Sequence, residues 1–189
     1  MRIQEKHHHA YSEYDLVSWR HYIKLLWSVI DCKIRNGKSL TVHLPFEIQH
    51  QMFRLKDSDF SAGQRFVDFG EGLKNIFKIN LYWENAPWLR EGTWDLKFDN
   101  TYWNTIPTNI DLCLDTGHLM LGLKEHEFPA RLNFIMQQRG GQIKHLHLSE
   151  NDLVHDLHWH TNKILTSDLV EKITEGRTFI WEVGGDKDE

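Results

Sequence analysis

No stretch of this chain is long and apolar enough to cross a membrane, and its first residues carry no apolar leader-like run. Cysteine is scarce. Cys32 and Cys113 are the only two, and they fall in a predicted helix and a predicted strand, without metal spacing or a disulfide framework. That points to a reducing, cytoplasmic setting. Positive charge is in deficit, with 22 Lys and Arg against 27 Asp and Glu and a formal net charge of -5, so the chain offers no strongly basic face for nucleic acid. No linker or low-complexity segment interrupts it, and 189 residues suffice for one good core, so the expectation is a single domain over residues 1–189. What is abundant is histidine, 13 residues in all, including the run His7-His8-His9.

Short apolar runs alternate with amphipathic ones along the whole chain. The pattern predicts strands over 2–9, 39–44, 79–84, 110–115, 143–148 and 178–183. It predicts helices over about 18–35, 47–55, 62–77, 124–139 and 167–175. In the first helix Ser18 or Asp15 is the cap, Asn36-Gly37 the stop, and Leu16, Trp19, Ile23, Leu26, Trp27, Ile30 and Ile34 the apolar face. In the 62–77 helix the stripe is Phe66, Phe69, Leu73, Ile76 and Phe77. Residues 85–107 read as a long loop carrying Trp88, Trp94, Phe98, Tyr102 and Trp103, either a lid over a site or a folded-back flap whose aromatics fill a satellite core. Strands alternating with helices are the signature of a parallel α/β sheet.

The chemistry collects at strand ends. Side chains alternate along a strand, so Thr41 pairs with His43, Tyr82 with Glu84, Cys113 with Asp115, His145 with His147, and Ile180 with Glu182. In every pair the last residue is a metal-ligand type. Parallel barrel strands converge at their C-terminal ends, where active sites of that architecture lie. Carboxylates gathered there repel one another unless a cation or protons neutralise them. A mixed carboxylate and imidazole set suits Zn, Mn, Fe or Co better than Ca or Mg. Asp115 is followed three residues on by His118, and the loop after His147 adds Asp156 and His158 in a D-x-H pair, with His155 and His160 beside them.

LYWEN at Glu84, LCLDTGH at Asp115 and His118, HLHLSEND at His147, DLH at Asp156 and His158, and FIWE at Glu182 resemble, in order and spacing, the xylose-isomerase-like TIM barrels. That superfamily holds sugar isomerases and epimerases and the endonuclease IV class of apurinic-site nucleases. The resemblance implies a (β/α)8 barrel. Counted back from the motifs, the chain begins at the family's third strand, which leaves about six βα units and an open edge: either the chain is a fragment or a natural truncation, or something such as a second copy covers the gap. It further implies that Glu84, Asp115, His147 and Glu182 are the epimerases' metal quartet, with Glu84 and Glu182 also serving as the acid/base pair. His118 would contact substrate, with Trp88 and His145 as further substrate contacts. By the resemblance to endonuclease IV, His118, Asp156, His158, His43 and His9 (or His8) would be ligands of a site holding up to three zinc ions.

The resemblance therefore implies a divalent-metal-dependent enzyme, Zn or Mn with one to three ions, acting on a sugar or sugar phosphate. The alternatives are a multinuclear phosphodiesterase and a degenerate barrel that binds without turnover. Asn85-Ala86-Pro87-Trp88 lacks the small, glycine-containing segment of endonuclease IV, and the acidic charge also counts against DNA as substrate.

Overall fold

A computed structural model describes residues 9–10, 18–45, 57–85, 96–155 and 157–182. Two compact units divide the chain, residues 1–84 and 85–189. Residues 2–8 of the strand expected over 2–9, the helix over 47–55, Trp88, Trp94, Asp156 and Val183 lie outside the described residues.

In the first unit three parallel strands pair in sequence order: β1 (His9–Ala10), β2 (Ser39–His43) and β3 (Asn80–Glu84). Helix α1 (Trp19–Ile34) starts at Ser18, whose backbone N–H donates to His21 Nδ1 at 2.9 Å. It ends where Asn36 turns left-handed at φ 57° and the Gly37 N–H returns to the Cys32 carbonyl at 2.7 Å. The buried face of α1 is Leu25, Val29 and Cys32, whereas Trp19, Ile23, Trp27 and Ile34 point outward. The predicted apolar face is thus largely the exposed one. Apolar residues surround this helix, so spacing alone selected the wrong side, and packing on α2 (Asp57–Phe77) decides the matter. Tyr22 of α1 sets its ring 5.3 Å from Phe66 and 5.1 Å from Phe69. Ile76, counted in the α2 stripe, is also exposed.

Trp83 locks α2 onto β3. Its fully buried ring meets Phe66 edge-on at 5.9 Å, and its indole N–H donates to Glu71 Oε1 at 2.8 Å. Gly70 is what admits the ring, since a Cβ there would stand 2.6 Å from Trp83 Cζ2.

In the second unit β4 (Leu112–Asp115), β5 (Ile143–Leu148) and β6 (Thr178–Trp181) also pair in parallel and in order. The expected loop over 85–107 ends in a helix, α3 (Leu96–Thr105). Its Asn and Thr residues carry weak helix propensity; burial of Tyr102 and Trp103, and the Arg139 guanidinium donating to the Trp103 carbonyl, hold it in place. A five-residue helix, α4 (Thr116–Met120), follows β4 directly. The helix predicted from Lys124 begins as a 3-10 turn, Glu125–Glu127, and becomes α-helical only at α5 (Phe128–Arg139), with Pro129 in its first turn. Helix α6 (Ser167–Thr174) is capped by Thr166. Leu112, Leu114, Leu146 and Leu148 bury one face of β4 and β5, with Phe128, Leu132 and Ile135 of α5 buried in the same unit. The opposite strand face carries Cys113, Asp115, His145 and His147.

No helix among the described residues is long and apolar enough to cross a membrane.

Candidate functional site

Parallel pairing sets the site. In the first unit β2 and β3 place His43 opposite Glu84, and His43 Nε2 lies 3.4 Å from Glu84 Oε2, both side chains buried. His9 sits in register with Thr41.

In the second unit Cys113 is opposite His145, and Asp115 opposite His147. Asp115, His147 and Glu182, the last just beyond β6, offer ligand atoms that all lie within 4.8 Å of one another. His147 Nδ1 is 3.2 Å from Glu182 Oε2 and 3.9 Å from Asp115 Oδ2. Two carboxylates and an imidazole from three successive strand ends, with Asp115 and His147 fully buried, make a donor set that fits a divalent cation. The positive charge would relieve the cost of keeping those carboxylates ionised away from water.

Asp115 is held from all sides. Its backbone N–H donates to Asn85 Oδ1 at 2.8 Å, and Asn85 Nδ2 donates back to the Asp115 carbonyl at 3.2 Å. Its own Oδ1 caps α4 by accepting from the His118 N–H at 2.9 Å. His118 Nδ1 lies 2.8 Å from the Asn85 carbonyl. A carbonyl only accepts, so Nδ1 carries the proton and Nε2 is the nitrogen with the lone pair. Asn85 thus fixes both members of the LDTGH pair, and it is joined directly to Glu84.

The turn between them needs Gly117, because a Cβ there would collide with Ser149 Oγ and come within 3.2 Å of Asp115 Oδ1. The Thr116 hydroxyl donates to the Ser149 carbonyl at 2.9 Å and accepts from the Ser149 N–H at 3.0 Å, so the turn cannot simply move away. Gly117→Ala is expected to cost about 2 kcal/mol or more, as overpacking of a tight site does, read as a lowered thermal midpoint. An unchanged midpoint would show that Ser149 can swing aside.

Beyond β5 the histidine-rich loop is folded by a residue the sequence reading did not single out. Glu150, with 1 % of its surface exposed, accepts hydrogen bonds from Thr161, Lys163, Ile164 and Leu165, and its backbone forms an antiparallel bridge with Trp159. The loop carries His158, whose Nδ1 is 3.8 Å from Glu182 Oε2 and whose ring centroid is 6.1 Å from that of His118. His155 faces away, exposed, with Nδ1 2.7 Å from Asp152 Oδ2. That hydrogen bond, with others from the backbone of His155 and Val154, lowers the Asp152 carboxyl to about 2. His160 stacks on Trp181 at 3.8 Å. His145 lies fully buried beneath the Asp115–His147 rung, with Nδ1 2.7 Å from Thr178 Oγ1.

No protein-family model and no curated protein matches the sequence. Solved structures do match its fold. A D-tagatose 3-epimerase-like protein shares 17% identity at a TM-score of 0.66, over 94% of this chain and 70% of its own. Endonuclease IV from Thermus thermophilus shares 15% at 0.62, over 97% and 70%. A further protein from the same organism, soaked with ZnCl2, shares 15% at 0.62, over 93% and 70%. With its parallel ladders alternating with helices, the chain shares the α/β fold, of TIM-barrel type, of these structures.

Proposed function

We propose that residues 1–189 work as one barrel domain and form a divalent-metal-dependent enzyme acting on a sugar or sugar phosphate, of isomerase or epimerase type. The observation that carries this reading is the meeting of Asp115, His147 and Glu182 at successive strand ends. Glu84 completes the set in the proposal: it ends β3 as Asp115 ends β4, and its chain neighbour Asn85 clasps the Asp115 backbone. Zn or Mn suits these donors, and the ion supplies electrostatic polarisation of adjacent substrate oxygens. The remaining work falls to side chains. Glu84 and Glu182, on separate strands, form the acid/base pair that takes a proton from the carbon next to a carbonyl and returns it. His118, its Nδ1 proton directed at the Asn85 carbonyl, accepts from a substrate hydroxyl through Nε2. Trp88, outside the described residues, and His145 are further substrate contacts in this reading.

A second reading, a multinuclear phosphodiesterase, has support within each unit. His43 lies beside Glu84 in the first and His158 beside Glu182 and His118 in the second, and in this reading these residues, with Asp156 and His9, hold its further ions. A barrel that binds metal or ligand without turnover is the third.

One experiment separates them. Full-length protein loaded with Mn is analysed for metal content and incubated with ketoses, aldoses and phosphodiesters in deuterated water. The expected result is about one ion per chain and deuterium entering a ketose at the carbon beside its carbonyl. Two or three ions with phosphodiester cleavage would replace this reading with the second, and bound metal with inertness towards the whole panel would replace it with the third.

A further inference from the structure

Beneath the strand-end carboxylates lies a second cluster, of which the proposed strand-end metal set uses His147 alone. Cys113, His145 and His147 offer ligand atoms that all lie within 4.8 Å of one another, and each residue has at most 1 % of its surface exposed. The cluster follows from register: Cys113 and His145 face each other across β4 and β5, and His147 is the next residue along on the same face of β5.

We propose that Cys113, His145 and His147 form a second metal position, one rung below Asp115 and Glu182, which takes a borderline or soft transition-metal ion of the Zn2+ or Co2+ class. The chemistry of the donors selects the ion. A thiolate with two imidazoles favours such cations over the harder Mn2+ and Mg2+, which carboxylate oxygens hold. The dimensions suit it as well. Around a tetrahedral ion with bonds of about 2.0–2.3 Å, ligand atoms stand roughly 3.3–3.8 Å apart, so no pair in the cluster need close by more than about 1.5 Å.

His145 has an outer partner. The Thr178 hydroxyl lies 2.7 Å from His145 Nδ1 and 3.3 Å from the Lys144 carbonyl. In the proposal the hydroxyl donates to the carbonyl and accepts from Nδ1–H, the arrangement that leaves Nε2 for the ion. An outer hydrogen bond that fixes the tautomer and orientation of an imidazole is the usual support of a metal-binding histidine. Cys113 becomes a ligand by releasing its thiol proton to solvent as the ion enters. His147 belongs to both positions. Its Nδ1 faces Glu182, so the two positions are coupled through one ring.

Cobalt(II) titration of the reduced, metal-stripped full chain tests this independently of any turnover. The expected result is a near-ultraviolet sulfur-to-cobalt charge-transfer band that saturates at about one equivalent, as a single thiolate site requires. Cys113→Ser abolishes the band. Cys32→Ser leaves it, and so does Asp115→Asn, which removes a carboxylate only from the upper rung. Thr178→Val lowers cobalt affinity roughly 10–100-fold by loosening the ring. If Cys113→Ser does not fold, His145→Gln stands in for it, with at least a tenfold loss of cobalt affinity expected. Wild-type protein that binds cobalt without the band, a band that disappears with Cys32, or full affinity in His145→Gln would each overturn the proposal. Failure of the upper site appears instead as lost Mn2+ binding with the band intact.

Discussion

Asp115→Asn is expected to lose Mn2+ binding by about 100-fold or more while the protein stays folded, and Asp115→Ala to lose binding and stability together. The difference rests on what the two oxygens do. Oδ1 accepts the His118 N–H at 2.9 Å and so caps α4, and an amide oxygen in Asn can still accept it. Alanine cannot, and loss of a helix cap costs about 1 kcal/mol. Oδ2 is the oxygen turned towards the imidazoles, 3.9 Å from both His118 Nδ1 and His147 Nδ1. Neutralising the group removes the buried negative charge that holds a cation there. Mn2+ is the right probe, because oxygen donors hold it and a thiolate–imidazole site holds it poorly. Elemental analysis after dialysis gives one measurement. The thermal midpoint gives another: ligand at about 100 times Kd stabilises the fold by about 2.7 kcal/mol, so wild type rises on adding Mn2+ and both variants do not. Unchanged manganese content in the two variants would remove Asp115 from the ligand set.

The strand ends were legible because two simple rules meet there. Alternation puts every second residue on one face, and a polar residue that breaks an apolar run at its last position has little reason to be there except to face something polar. Thus His43, Glu84, Asp115 and His147 could be picked out before any coordinates, and β5 was placed to the residue. The short α4 had a visible signal that went unused, since Asp115 followed by Thr-Gly-His is an N-cap pattern. The face of α1 was not legible: Leu25, Val29 and Cys32 repeat at helical spacing just as well as Trp19, Ile23, Trp27 and Ile34, and only the neighbour Tyr22 finds in Phe66 and Phe69 chooses between them. Helix α3 hid behind weak-propensity residues and a tie made to Trp103 by Arg139, 36 residues further on. Glu150 was hardest, for its partners begin eleven residues downstream and, but for the Thr161 hydroxyl, are backbone groups, which leave no mark in the sequence.

Those partners make Glu150 the residue whose loss should cost the second unit most. Oε1 accepts from the N–H groups of Ile164 at 2.6 Å and Leu165 at 2.5 Å. Oε2 accepts from the N–H groups of Thr161 at 3.0 Å and Lys163 at 3.3 Å, and from the Thr161 hydroxyl. Glu150→Ala strands these donors in a partly buried loop. The expected loss is about 3–5 kcal/mol, the range for breaking a buried, charge-assisted network from one side. Glu150→Gln keeps the shape, but it removes the charge and turns two of its own donors towards groups that donate, so it recovers only part. Because this loop brings His158 to Glu182, hydrogen exchange of 159–165 should rise in both variants ahead of the strands. Acid should imitate the substitution. Burial alone would raise the Glu150 carboxyl, but the hydrogen bonds from Thr161, Leu165, Ile164 and Lys163 together outweigh it and hold the group below its ordinary 4.5. The folded chain therefore favours the ionised form. Its stabilisation is complete above pH 4.5 and drains away as pH falls through the lower, folded value. Wild-type protection of 159–165 should accordingly collapse on acidification while Glu150→Gln, already without the charge, changes little there. Equal acid sensitivity in the two proteins would mean that some other group holds the loop closed.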